Sequence, residues 1–265
     1  NLAPDQIGNC TQTVRAVLLH TPESRIEELR LRVGQKPSVL YAGCEQILNA
    51  GGVLTQNELQ QVLLNASAQS QYAVQEQLRN GYLSLPGGYR IGVCGSTVVQ
   101  NGCITGIREI SSIALRVPHD IRQPPERLLP YLQESCLLAG APGSGKTTLL
   151  RSCIRTLSDV GQRVAVVDER QELSGAVHGV PQFDLGPRTD VLSGCPKGDG
   201  MLMLLRSMNP QWIAVDEITQ PEDIMALRQV GSCGVKLIAT IHAGSAEELK
   251  NKPLCRKLFS LGIFR

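Results

Sequence analysis

Leu137-Leu138-Ala139-Gly140-Ala141-Pro142-Gly143-Ser144-Gly145-Lys146-Thr147-Thr148-Leu149-Leu150 decides how the rest of the chain is read. Within it, Gly140 to Thr147 satisfies G-x-x-x-x-G-K-[ST] in full, between a strand-like apolar run and a helix-like one. Glycines let a backbone curl so that successive N–H groups face one point. A helix opening there adds the positive end of its dipole. The reading is a phosphate cradle in which Gly140, Ala141, Pro142, Gly143, Ser144, Gly145, Lys146, Thr147 and Thr148 surround the phosphates of ATP. Lys146 would reach the β- and γ-phosphates, and the Thr147 hydroxyl would ligate Mg²⁺. A glycine-rich turn that binds nothing is the plain alternative, and the strand-to-helix setting argues against it.

Outward from this loop the chain alternates strand and helix. Strands are expected at Ser135–Ala139, Val164–Val167, Trp212–Val215 and Val235–Ile241, and helices at Lys146–Ser158, Gly200–Ser207 and Pro221–Val230. That alternation predicts an α/β domain whose parallel sheet carries helices on both faces, and with the phosphate loop it resembles a RecA-like or AAA+-like P-loop NTPase. Ligands of such sheets bind at the carboxyl ends of the strands, so strand-end residues are the site candidates. Trp212-Ile213-Ala214-Val215-Asp216-Glu217 ends in two carboxylates. Neighbouring strand residues point opposite ways, so Asp216 is assigned to the Mg²⁺ shell and Glu217 to polarising the attacking water. Val164-Ala165-Val166-Val167-Asp168-Glu169-Arg170 makes Glu169 a second candidate for orienting water or metal, although a charged strand end is ordinary. Ala239-Thr240-Ile241-His242-Ala243 brings His242 to the same edge, for γ-phosphate sensing or subunit coupling, with a structural histidine as the alternative. Arg188, Arg206, Arg90, Arg108 and Arg116 are candidates for the positive charge that hydrolysis needs on the transferring phosphoryl group. For each, a surface ion pair is the ordinary explanation.

The preceding residues have another texture. A helix is expected at Ala3–Leu19, then a half-buried strand at Glu28–Val33 turning into Ser38–Tyr41. Thr55 and Glu58 have capping-box spacing ahead of a helix, and a further helix at Gln71–Arg79 is stopped by Asn80-Gly81. Tyr82–Leu85 and Tyr89–Cys94 flank Pro86-Gly87-Gly88 as one hairpin. Val98-Val99 and Cys103-Ile104 flank Asn101-Gly102 as another, with Ser112–Val117 a further strand. Residues 1–120 are therefore expected to form a smaller α+β domain. Residues 121–130, with Pro124, Pro125 and Pro130, read as a linker, and residues 131–265 as the P-loop domain.

Composition excludes other classes. The 265 residues carry 26 Lys and Arg against 24 Asp and Glu, a net charge of +2 split evenly between the two halves, with no basic block. With aromatics at only 3%, the chain lacks both the electrostatic grip and the stacking platform of a nucleic-acid binder. Nine cysteines, an odd number with no C-x-x-C, read as reduced, structural thiols of a cytoplasmic protein. Direct membrane insertion is not expected, because no run approaches the roughly 20 apolar residues of a span. The chain opens at Asn1 without a Met, which suggests a trimmed sequence.

Together the phosphate loop, the acidic strand ending at Arg170, the Asp216-Glu217 strand and the Thr240-Ile241-His242 strand resemble the ATPases of type II and type IV secretion systems. Leu205-Arg206-Ser207-Met208-Asn209-Pro210 is similar to the segment that leads into the second acidic motif of that superfamily. Tyr72-Ala73-Val74, Gly87-Gly88-Tyr89-Arg90-Ile91-Gly92, Ile107-Arg108-Glu109-Ile110-Ser111-Ser112 and Arg188-Thr189-Asp190-Val191-Leu192 resemble more closely the stage III sporulation AA family of endospore-forming bacteria. The resemblance implies a homo-oligomeric, hexameric ring ATPase using ATP and Mg²⁺. It would sit on the mother-cell side, peripheral at the membrane, with membrane proteins of the sporulation channel complex as partners. An ATP-binding assembly scaffold with negligible turnover is the alternative. Gln171 and Thr219 stand where the family pattern has glycine, Lys197-Gly198-Asp199-Gly200 departs slightly from it, and the pattern runs on past Arg265 with a final strand.

Overall fold

Alternation of apolar and polar residues from Ile26 makes β1 (Ile26–Arg32), with Leu29 and Leu31 buried. A computed structural model describes residues 26–41, 43–49, 52–67, 77–120 and 124–264 of the chain. The expected helix at Ala3–Leu19 lies outside the described residues. So does most of that at Gln71–Arg79, of which residues 77–79 are helical.

The chain divides into two units, residues 1–119 and 120–265. In the first, β1 joins β2 (Ser38–Tyr41), β3 (Cys44–Ile47), β4 (Tyr82–Leu85), β5 (Tyr89–Gln100) and β6 (Cys103–Arg116) in an antiparallel sheet of order β3-β2-β1-β6-β5-β4. Helix α1 (Gln56–Ser67) covers it. Its capping box is made: the Glu58 N–H donates to Thr55 Oγ1 (3.3 Å) and the Thr55 N–H to Glu58 Oε2 (2.8 Å). Leu59 and Val62 of α1 close the core against Leu29, Leu31, Ile91, Ile113 and Leu115. The expected hairpin of Tyr82–Leu85 with Tyr89–Cys94 forms as the β4–β5 pair, while the second hairpin and the separate strand merge into one long β5–β6 ribbon around Asn101 (φ 51°) and Gly102 (φ 76°). Bulges at Cys94/Ser96 and Val98/Val99 break the alternation, which is why the ribbon reads as fragments. β3 has all four residues exposed and so no apolar pattern to find.

The second unit is the expected parallel α/β sheet. Its strands are β7 (Cys136–Gly140), β8 (Val164–Asp168), β9 (Thr189–Ser193), β10 (Trp212–Val215) and β11 (Lys236–His242), in the order β7-β11-β10-β8-β9. The helices are α2 (Lys146–Asp159), α3 (Lys197–Ser207), α4 (Pro221–Ser232), α5 (Ala246–Asn251) and α6 (Pro253–Ser260). Every residue of β8 and β10 is buried, because both faces are covered. Val164, Val166, Trp212 and Ala214 face Leu150, Ile154 and Leu157 of α2. Ala165, Val167, Ile213 and Val215 face Met201, Leu227 and Leu258 of α3, α4 and α6. A Cβ on Gly200 would stand 2.6 Å from Val167 Cγ1, so glycine is what lets α3 seat against β8. Edge strand β9 escaped the sequence reading because Thr189-Asp190-Val191-Leu192-Ser193 is half polar and only half buried.

A 3-10 helix, Glu126–Tyr131, occupies the whole second half of the stretch read as linker. Leu128 and Leu132 pack with the α2 face of the second unit, so this half belongs to that unit. Among the described residues, no helix is long and apolar enough to cross a membrane.

Candidate functional site

Five parallel strands bring five chain exits to one edge. β7 ends at Gly140, directly opposite His242 at the end of β11. Val215 of β10 lies between Ala239 of β11 and Val167 of β8. The loop after β7, Asp216-Glu217, His242 and Asp168-Glu169-Arg170 therefore converge by topology alone, which is what the strand-end argument requires.

The loop from Gly140 to Thr147 turns through Gly143 (φ 72°) and Gly145 (φ 85°), a region that side chains with a Cβ avoid. Helix α2 opens on Gly145 with no side-chain cap, which leaves its first-turn N–H groups for an anion. The Lys146 ammonium donates to the Ala141 carbonyl (2.7 Å) and lies 3.1 Å from His242 Nδ1. An ammonium can only donate, so Nδ1 accepts and the ring proton belongs on Nε2. That nitrogen lies 3.0 Å from Glu217 Oε1, and the other Glu217 oxygen accepts from Arg170 Nη1 (2.6 Å). A continuous polar chain thus runs Lys146, His242, Glu217, Arg170.

Asp216 and Glu217 both follow the end of β10 at Val215, so strand alternation does not separate them; their contacts differ, with Glu217 at φ 53°. Asp216 Oδ2 accepts from the Thr147 hydroxyl (2.8 Å) and its Oδ1 from Thr240 Oγ1 (2.5 Å). Thr240 Oγ1 in turn accepts the Glu217 N–H (2.7 Å). One buried hydroxyl therefore fixes both acidic residues. A hydroxyl and a carboxylate side by side are hard oxygen donors, the set Mg²⁺ prefers, so Thr147 and Asp216 fit that ion. Arg151, one turn along α2 and over the Phe183 ring (4.5 Å), adds positive potential. Burial pulls its pKa down, while the charges of Asp120, Asp168 and Asp216 oppose that shift.

The remaining candidates sit elsewhere. Glu169 is at the same edge but its carboxylate pairs with the buried Lys197 (2.6 Å), away from Lys146. Asp168 is taken up by structure: its oxygens accept the Leu173 N–H (3.1 Å), the Ser174 N–H (2.7 Å) and the Ser174 hydroxyl (2.6 Å). The Arg188 carbonyl accepts from the Val164 N–H where β8 begins, so Arg188 lies at the edge opposite the phosphate loop. Arg206 lies in the last turn of α3, the end away from Lys197 and Glu169. Neither arginine can complete the charge at the loop of its own unit, and a role for either requires a neighbouring subunit. Arg90, Arg108 and Arg116 belong to the first unit, where Arg90 covers the Tyr82 ring (4.3 Å) and Arg116 approaches Glu28 (3.5 Å). Gln171, noted for standing where glycine is expected, has φ 58°, so this backbone does have the left-handed conformation that suits glycine.

Arg170 and Thr240 were not singled out from the sequence. The period of two along β11 puts Thr240 on the face of His242, and Arg170 follows directly on a strand already read as ending at the site.

This loop, these strand-end acids and this sheet define a P-loop NTPase fold of the secretion-ATPase kind. DotB of Legionella pneumophila, described as an ATPase, superposes with a TM-score of 0.60 at 20% identity, over 95% of this chain and 70% of that one. PilT, described as a pilus retraction motor with bound ADP, gives 0.63 at 18% identity, over 95% of this chain and 74% of that one. The chain belongs to the family described as sporulation stage III, protein AA, whose model matches residues 5–265. Stage III sporulation protein AA of Bacillus subtilis (strain 168) is 35% identical over 266 residues, which is 96% of this chain and 86% of that protein.

Proposed function

We propose that the chain hydrolyses ATP as a subunit of a ring, hexameric as the family resemblance implies. The ring would energise or assemble the channel complex between mother cell and forespore, from the mother-cell cytoplasm and through membrane-protein partners. The observation that carries this reading is the placement of Glu217, whose carboxylate is joined through His242 to the phosphate-loop lysine. A protein that only bound ATP would need Lys146 and the Thr147–Asp216 pair, but no acid aimed along the same edge.

In this reading Lys146 and the first-turn N–H groups of α2 hold the phosphates. Thr147 and Asp216 would hold Mg²⁺, which when bound offsets charge on the β- and γ-phosphate oxygens. Glu217 orients the attacking water through a lone pair not used by Arg170 or His242. His242, bonded to both Lys146 and Glu217, couples the state of the phosphate to that of the acid.

Phosphate release and ATP binding, measured side by side, test this. Lys146→Ala removes a contact present in the ground state and is expected to abolish binding. Glu217→Gln should keep binding and lose kcat by about 10²-fold or more, since general-base help supplies that much. Unaltered affinity in Lys146→Ala overturns the loop assignment. Unaltered kcat in Glu217→Gln moves the water-orienting role to Glu169. An unsubstituted chain that binds ATP without releasing phosphate, alone or with its channel partners, is the assembly scaffold instead.

A further inference from the structure

We propose that Arg170 is a positioning residue for the hydrolysis described above, holding the Glu217 carboxylate from the side opposite His242; the proposal rests on that hydrolytic reading. The sheet order supplies the geometry. Glu217 follows β10, which lies between β11 and β8. His242 reaches it from the end of β11, and Arg170 from just beyond the end of β8. A glutamate has three side-chain torsions, and Glu217 is 25% exposed at a strand end. Burial alone therefore leaves the carboxylate free to turn. Thr240 accepts the Glu217 N–H and so fixes its backbone, while the Thr240 hydroxyl donates to Asp216 and not to the Glu217 carboxylate. Arg170 and His242, on one oxygen each, fix the rest.

Arg170 is itself held in place for this task. Asp168 gathers the Leu173 N–H and both the N–H and hydroxyl of Ser174, and its carbonyl accepts from the Gly194 N–H (3.1 Å). Gln171 completes the tight turn with φ 58°, and its carbonyl accepts from the Gly175 N–H (3.2 Å). A buried carboxylate bonded three times within one turn makes a rigid bracket, and Arg170 projects from it. Charges on the bracket are also sorted. Lys197 takes Glu169, so the guanidinium beside it is not drawn to its own neighbour and meets Glu217 instead. A guanidinium 39% exposed adds little stability through one ion pair, so orientation is what the contact contributes.

Steady-state phosphate release with Arg170→Ala and Arg170→Lys, each also made in the Glu217→Gln background, tests this on the full chain. The expected result is a kcat lower by about ten- to hundredfold in Arg170→Ala, the scale of a misplaced catalytic group. KM and ATP affinity should stay unchanged. Arg170→Lys should recover part of the rate, because a point charge replaces the fork. In the Glu217→Gln background Arg170→Ala should cost nothing further, since its effect passes through that carboxylate. The same fold-loss in that background overturns the proposal, as does a KM that rises in step with the loss. An unchanged or higher kcat in Arg170→Ala overturns it too, the latter because Arg170 would then restrain Glu217 rather than position it. If the unsubstituted chain hydrolyses ATP and Arg170→Ala does so at the same rate, this proposal alone fails. If the unsubstituted chain does not hydrolyse ATP, the hydrolytic reading fails and carries this proposal with it.

Discussion

Thr240→Val exchanges one hydroxyl for a methyl in a side chain with no exposed surface, and so removes two hydrogen bonds with almost no change of shape. The Glu217 N–H loses its acceptor at 2.7 Å, and Asp216 Oδ1 loses its donor at 2.5 Å. A buried N–H left without a partner costs about 1–3 kcal/mol, and a bond to a charged group is worth roughly 1.5–3 kcal/mol. Asp216 keeps the Thr147 hydroxyl on its other oxygen and is only partly buried, so water can replace some of the second loss. A net of about 3 kcal/mol follows, with the cavity contribution near zero because the volume is kept. For a unit of this size that lowers Tm by roughly 10 °C. Circular dichroism melts of Thr240→Val against Thr240→Ser, which keeps the hydroxyl, read the shift directly. Phosphate release should fall in Val and largely persist in Ser, since the left-handed Glu217 backbone depends on that oxygen. A Tm change under about 2 °C in Thr240→Val, or equal rates in the two variants, would refute the claim that one hydroxyl sets both acids.

Two further outcomes are expected. If the completing arginines act between subunits, mixing Lys146→Ala chains with a double variant, Arg108→Ala and Arg116→Ala, should restore phosphate release that neither shows alone. Full activity in the double variant by itself, or a rate per subunit independent of protein concentration, counts against that mechanism. Burial pushes the Cys153 thiol up to about 12, so at pH 8 it should stay uncharged and resist alkylation until the chain unfolds. Exposed Cys44, Cys94, Cys103 and Cys233 should react at once, and peptide mass mapping after iodoacetamide separates the two groups. Early labelling of Cys153 would show that α2 opens locally.

The second unit was legible because both its signals are strong. A fully covered parallel strand must be apolar throughout, and Val164–Val167 and Trp212–Val215 are. The phosphate loop needs glycine and lysine at fixed spacing, and the strand-end rule then selects Asp216, Glu217 and His242. What the sequence hid has physical causes. β9 and β3 are edge strands with too little burial to impose a pattern, and the β5–β6 ribbon is interrupted by bulges. Arg170 and Glu169 are neighbours of opposite charge, and the sequence cannot say which acid each cation meets. Lys197, 28 residues from Glu169, decides it. Arg188 and Arg206 are candidates by charge alone, while their places just before β9 and in the last turn of α3 depend on chain direction.

Strand β7 carries the phosphate loop, yet its partner in the described sheet is β11, and Ser135 Oγ accepts from the Leu237 N–H across 102 residues of chain. On a ribosome moving at about 5–20 residues per second, the loop is made on the order of 5–20 s before the strand that supports it. Until then Gly140 lacks the backbone of His242 opposite it, and Lys146 lacks the imidazole it meets in the folded unit. Pairing at so long a separation is slow to nucleate, because the intervening chain must be ordered before the contact repays it. The phosphate-loop edge is thus the last part of the sheet to come into being, and the nucleotide binding proposed above is expected only of a chain that has already passed His242.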